Sequence, residues 1–113
     1  MRQEKYQDFT CASGLLQKRF VTVTAATDSV AYTAAAAAAD GITIGDEDNL
    51  RISVLLFEGM SESFYFDVVA ALTKGENVEV GADGKGTPED EGSVVCISKT
   101  AAAAGSFGTG YNK

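Results

Sequence analysis

Glu58, Glu62 and Asp67 stand beside the most apolar runs of the chain, where carboxylates can in principle do acid and base chemistry. Glycoside hydrolysis needs one acid kept protonated in an apolar pocket and a second that stays ionised. Such acids far more commonly end strands or face solvent. The chain has no histidine, which removes Ser-His-Asp and Cys-His nucleophile arrangements and the commonest transition-metal ligand. No catalytic residue is assigned, and no enzyme is expected.

Metal and phosphate motifs fail on spacing. GDEDNLRISVLLFE at 45–58 opens like a calcium loop, with Asp46 and Asp48 at the first and third ligand positions. Leu50 then stands where an oxygen ligand is needed, Arg51 where the loop turns on glycine, and Phe57 where the bidentate Glu belongs. GADGKGTPEDEG at 81–92 lacks the GxxxxGK[ST] spacing of a phosphate cradle and no helical pattern follows it. Its Asp83-Gly84 and Thr87-Pro88 pairs are turn chemistry, and Glu89, Asp90 and Glu91 keep the tip in water. Cys11 and Cys96 lie far apart with no CxxC pair, so both read as free thiols. Neither a metal nor a cofactor is expected.

The net charge of −7 is unevenly spread. Residues 1–20 carry Arg2, Lys5, Lys18 and Arg19 against Glu4 and Asp8, a balance of +2 that leaves −9 for the remainder. An acidic body repels phosphate backbones and anionic lipid, so neither nucleic acid nor membrane is an expected partner. The basic start suits an acidic partner. No run is apolar enough for a signal peptide or a bilayer span, and the chain is expected to be made in a cytoplasm.

The elements that must position any site are strands. FVTVTA at 20–25, LRISVLLFE at 50–58, SFYFDVV at 63–69, ENVEV at 76–80 and SVVCIS at 93–98 alternate or run apolar as strands do. ITI at 42–44 and GSFGTGY near the end are shorter matches. The five residues GMSES predict that 50–58 and 63–69 form an antiparallel hairpin; 76–80 and 93–98 are predicted to pair around the acidic loop. The six-alanine run before Asp40-Gly41 predicts one or two helical turns ended by glycine, whereas the run at 101–104 reads as small-residue filler. Both runs precede a glycine and a short apolar segment, a weak internal repeat. Residues 1–19 lack strand alternation and read as an arm or a docking helix, or else as a frayed terminus resting on the body, beside a β domain of residues 20–113. The predicted fold is mainly β: one compact β-barrel or β-tulip-like domain of short antiparallel strands, an N-terminal arm, and at most one short alanine-rich helix.

ALTKGENVEVGADGKGTPEDEGSVVCISKTAAAAGSF resembles the C-terminal half of small bacteriophage capsid decoration proteins, also called cement proteins. The resemblance lies in Lys74-Gly75-Glu76, Val78, Val80, Asp83-Gly84-Lys85, the strand at 94–97 and the alanine-rich turn at 101–105. FVTVTAATDSVAY and DGITIG are similar to the opening strands of that family, so the likeness spans residues 20–107. It implies a non-enzymatic barrel bound to the outside of an icosahedral shell, with the major capsid protein as partner and a homotrimer as one arrangement. The arm and the six alanines depart from the family pattern. Aromatic side chains flanked by basic ones suit a segment that orders on a partner, so Arg2, Lys5, Tyr6, Phe9, Lys18 and Arg19 are the candidate capsid-binding residues. The competing reading is a small binding module of a phage tail or fibre, or a carbohydrate-recognition domain, with ligand loops at 59–63 and 81–92.

Overall fold

The structure is a computed structural model that describes residues 6–57 and 63–111. Among the described residues ten strands follow in chain order: β1 (Tyr6–Thr10), β2 (Phe20–Thr24), β3 (Ser29–Tyr32), β4 (Gly41–Thr43), β5 (Arg51–Leu56), β6 (Ser63–Asp67), β7 (Asn77–Val80), β8 (Gly86–Pro88), β9 (Cys96–Ser98) and β10 (Phe107–Tyr111). The first five close into a barrel in the order β1-β3-β2-β4-β5; the last five form a sheet in the order β6-β10-β9-β7-β8. A parallel bridge between Val68 and Gly86 draws the two ends of that sheet together. The mainly β, single-domain expectation holds.

Two apolar clusters explain the strand sequences. Phe9, Leu15, Val21, Val30, Ile52 and Val54 fill the barrel. Phe20, Ile42, Leu55 and Phe57 turn the other way and pack with Phe64, Phe66, Val78 and Cys96 of the sheet. A barrel strand that also faces the second sheet must be apolar on both sides. That is why FV in β2 and VLL in β5, with Phe57 directly after it, break alternation. The seam is aromatic: Phe57 stacks on Phe64 at 5.0 Å, and Phe20 meets Phe66 at 5.4 Å.

Several expectations are corrected by tertiary pairing. The segment 50–58 and the segment 63–69 do not form a hairpin. Both edges of β5 are already taken, by β1 and by β4, so β6 crosses to the other sheet and pairs with β10. The expected pairing around the acidic loop is present, with Val78 opposite Cys96. The loop is more than a connection, however: a 3₁₀ turn at Ala82–Gly84 folds it back so that β8 pairs with the outer edge of β7. Gly86 is compelled there, since a Cβ would lie 2.5 Å from the Phe66 ring. Pro88 is tolerated because β8 is an edge strand.

The segment 1–19 is not an arm where it is described. Tyr6–Thr10 pairs with β5 along its whole length, Phe9 opposite Ile52, and Thr10 meets Ser29 of β3. The six-alanine run forms no helix. Its backbone is held by neighbours instead: Ala36 N–H donates to Val80 O at 2.8 Å, and Ser93 N–H donates to Ala36 O at 2.9 Å. Small side chains are needed because Gly92 lies so close that a Cβ on it would be 2.6 Å from that of Ala36. Gly41 does not end a helix either. It belongs to β4, and Asp40 Oδ2 accepts from Val23 N–H at 2.8 Å.

Candidate functional site

The residues proposed from sequence part company in the structure. Arg2 and Lys5 lie outside the described residues. Phe9 is 2% exposed inside the barrel and is no contact residue; its alternation with exposed neighbours along β1 points it inward. Arg19 is also removed from the surface. Its Nε donates to Asp67 Oδ2 at 2.8 Å and its Nη1 to Asp83 O at 3.2 Å, while the guanidinium lies 5.5 Å from the Tyr32 ring. It ties the entry to β2, the end of β6 and the 3₁₀ turn together. Asp67, one of the three carboxylates weighed for acid-base chemistry, is its counter-ion. Glu58 and Glu62 lie outside the described residues.

Tyr6 and Lys18 do reach a common surface. Tyr6 is half-exposed on β1, and Lys18 Nζ lies 5.5 Å from the centre of the Phe107 ring. Between them and β6 runs a groove of about 280 Å³, walled by Tyr6, Lys18, Ile44 and Tyr65. Beyond it lies the outer face of the second sheet, where Tyr65, Phe107 and Tyr111 are each 41–56% exposed. Phe107 stands opposite Asp67 and Tyr111 opposite Ser63. Tyr65 and Phe107 meet edge to face at 5.3 Å. Lys99 Nζ donates to Ser63 Oγ at 2.8 Å at the far side.

The chain places aromatics outward because the inward positions have no room. FGTGY alternates with glycine, and a Cβ on Gly110 would lie 2.9 Å from Cys96 Sγ and 2.9 Å from Phe66. Phe66 fills the slot beneath β10, so only Gly108 and Gly110 fit below it. The large residues must then face out. Exposed aromatics gathered on one face mark a contact surface more often than chance scatter does. The alternation in FYF and FGTGY is the sequence signal for this face; from sequence both segments read only as strands, and Tyr65, Phe107 and Tyr111 are not singled out.

Elsewhere the titratable groups have structural explanations. Glu47 accepts from Gly14 N–H at 2.9 Å and Leu50 N–H at 2.8 Å, and those bonds hold its carboxyl below the usual range. Burial pushes the Cys96 thiol up to about 12. Burial, with Glu47 nearby, also raises Cys11. Among the described residues no group of three or more Cys, Asp or Glu side chains is placed to hold a metal ion. Asp46 Oδ1, a candidate calcium ligand by sequence, instead accepts from Gln17 N–H at 3.0 Å. No helix of the described residues is long and apolar enough to cross a membrane.

A two-lobed all-β domain, one lobe a closed barrel and the other a sheet with an aromatic outer face, is the class that this geometry defines. The fold is similar to the crystal structure of the N base of head fiber gp8.5 in bacteriophage phi29, with a TM-score of 0.81. The likeness covers 96% of this chain and 92% of that one at 16% sequence identity. No family model matches the chain, and no curated relative does.

Proposed function

We propose that the chain is a non-enzymatic structural protein of a phage head, seated on the outside of the capsid shell and bound to the major capsid protein. The observation that carries this reading is the near end-to-end likeness to the base of a phage head fiber. The aromatic face supports it by offering a contact surface on the outer side of the second sheet. Tyr65, Phe107 and Tyr111 supply buried area at low side-chain entropy cost, and many copies on a lattice add weak contacts into firm attachment. A trimer about a threefold axis is compatible with this role.

Cosedimentation with empty shells of the cognate major capsid protein tests the reading. The wild-type chain is expected to pellet with shells, and the Phe107→Ser/Tyr111→Ser variant, still folded, is expected to remain largely in the supernatant. A wild-type chain that never pellets with shells overturns the proposal.

The same likeness favours a second form of the role, in which this fold is the anchoring base of a longer fibre and not a free-standing decoration protein. An antibody to the chain, used on dissociated virions, separates the two. A band of this chain's own size supports decoration, and a much longer band supports a fibre base.

A further inference from the structure

The free edge of β6 faces the groove. Val68 N–H donates to Ser106 O at 3.0 Å and Gly105 N–H donates to Val68 O at 3.0 Å, so even-numbered residues along this stretch turn their backbone groups toward β10. Asp67 turns the opposite way, and its N–H donates to Lys18 O at 2.8 Å. The two-residue period of a strand then directs the N–H and C=O of Ser63 and Tyr65 to the same side, into the groove. On that edge Asp67 N–H is taken by Lys18 O and, beyond the strand, Val69 N–H by Gly86 O at 2.9 Å, so the part left without a backbone partner among the described residues is Ser63 and Tyr65.

The walls of the groove are selective. Tyr6, Ile44 and Tyr65 give it apolar sides. Lys18 lines it, among the described residues no carboxylate does, and Lys99 stands just beyond at Ser63, although the chain as a whole carries −7. Asp67, the nearest acid on β6, is neutralised by Arg19. An unpaired sheet edge walled by apolar groups and rimmed by cations fits one kind of occupant: an extended peptide with apolar side chains alternating with acidic ones.

We infer that β6 accepts such an extended acidic segment of the shell protein by strand addition, Tyr65 supplying the main-chain bonds and Lys18 the charge selection. This rests on the shell-binding reading and assigns it a specific contact. Main-chain pairing gives affinity whatever the side chains, and the groove then decides which side chains are admitted.

The test uses two fluorescent seven-residue peptides, one alternating Glu with Val and the other Lys with Val, titrated into the full chain. The Glu-Val peptide is expected to bind at least about tenfold more tightly. Tyr65→Pro removes the N–H that faces the groove yet leaves the ladder to β10 intact, as proline on an edge strand does. It is expected to weaken Glu-Val binding by about tenfold or more, while Tyr65→Ala, which keeps the N–H, loses at most about threefold. Lys18→Glu is expected to reverse the preference to Lys-Val, and it decides the matter should Tyr65→Pro fail to fold. Binding of neither peptide, equal binding of both, or full binding by Tyr65→Pro overturns the inference. Shell binding by a chain that takes no peptide sinks only this contact, whereas peptide binding without shell binding sinks the role and leaves the groove.

Discussion

Arg19 Nε lies 2.8 Å from Asp67 Oδ2, joining the entry of the barrel's second strand to the end of the first strand of the other sheet. The Arg19 side chain is 10% exposed and Asp67 31%, so water reaches one partner and only part of the Coulomb energy is retained. Arg19→Met leaves Asp67 unpaired and Asp83 O without its donor, and is expected to cost about 2 kcal/mol in urea unfolding. Arg19→Met/Asp67→Leu should cost clearly less than the sum of the single changes, with a coupling of about 1 kcal/mol. Strictly additive losses would mean that the pair contributes no mutual stabilisation.

What was legible in the sequence followed local patterning, and what was not followed from edges. β2, β5, β7 and β9 are readable because Val, Ile and Leu recur at strand spacing. β1 was hidden: in YQDFT only Phe9 is buried, and a strand with one inward apolar residue looks like a polar arm. β8 was hidden by Gly86 and Pro88, which read as turn residues until Phe66 is seen to demand the glycine. Nothing local could show that β5 had no free edge for β6. Of the residues proposed from sequence, Tyr6 and Lys18 border the groove while Phe9 and Arg19 are buried, and the outward turn of Tyr65, Phe107 and Tyr111 is seen only once β10 is found to bury its glycines.

The turn at Asp48–Arg51 stores strain that can be relieved. Asp48 N–H donates to Arg51 O at 2.9 Å and Arg51 N–H returns to Asp48 O at 3.0 Å, enclosing Asn49 and Leu50 at φ 54° and 62°. A two-residue turn of this hand favours Asn-Gly. Leu50 is 54% exposed, so little burial is lost when it is replaced. Leu50→Gly is expected to stabilise the chain by about 1 kcal/mol, raising the melting temperature by about 4 °C. A lower melting temperature would show that the leucine side chain holds something that outweighs its backbone cost.

Cys96 ties stability to alkaline pH. Its thiol is fully buried and pushed up to about 12 from an ordinary value of 9.0. Below pH 9 both states keep the proton and the contribution is whole. Between pH 9 and about 12 the unfolded chain releases a proton that the folded chain retains. Stability therefore falls as pH rises, by up to about 1.4 kcal/mol per pH unit. Urea unfolding of wild type and Cys96→Ala across this window should diverge, the variant losing less per unit. Parallel curves would mean that the thiol ionises freely in the fold.

The acidic loop separates tolerant from intolerant positions. Glu89, Asp90 and Glu91 are exposed, and the bonds made by this segment run from the backbone, Glu89 N–H to Asn77 O and Asp90 N–H to Glu79 Oε1. Serine at all three acids should leave the melting temperature within about 2 °C of wild type, since surface changes of this kind stay within about 0.5 kcal/mol. Gly86→Ala, five residues before Glu91, should instead cost about 2 kcal/mol, because its methyl meets a core ring that cannot move without strain. Thermal melts of the two variants side by side make the comparison. Equal behaviour would contradict the pairing of β8 with β7.

The opening strand offers the clearest contrast between fold and contact, because its two aromatics face opposite ways. Phe9 is 2% exposed among Val21, Ile52 and Val54 and seals the barrel, whereas Tyr6 is 48% exposed at the groove. Phe9→Ala should cost about 3–4 kcal/mol, enough to unfold a marginal domain. Tyr6→Ala should change stability by less than about 1 kcal/mol and weaken shell binding, since it removes one wall of the groove and no part of the core. Removing residues 1–19 is accordingly expected to open the barrel, not to leave a folded body that has lost only an arm. Circular dichroism and a urea titration of the truncated chain check this. A truncated chain that melts cooperatively near the wild-type temperature would mean that β1 is dispensable, and that the barrel closes by a pairing of β3 with β5 that the full-length fold does not contain.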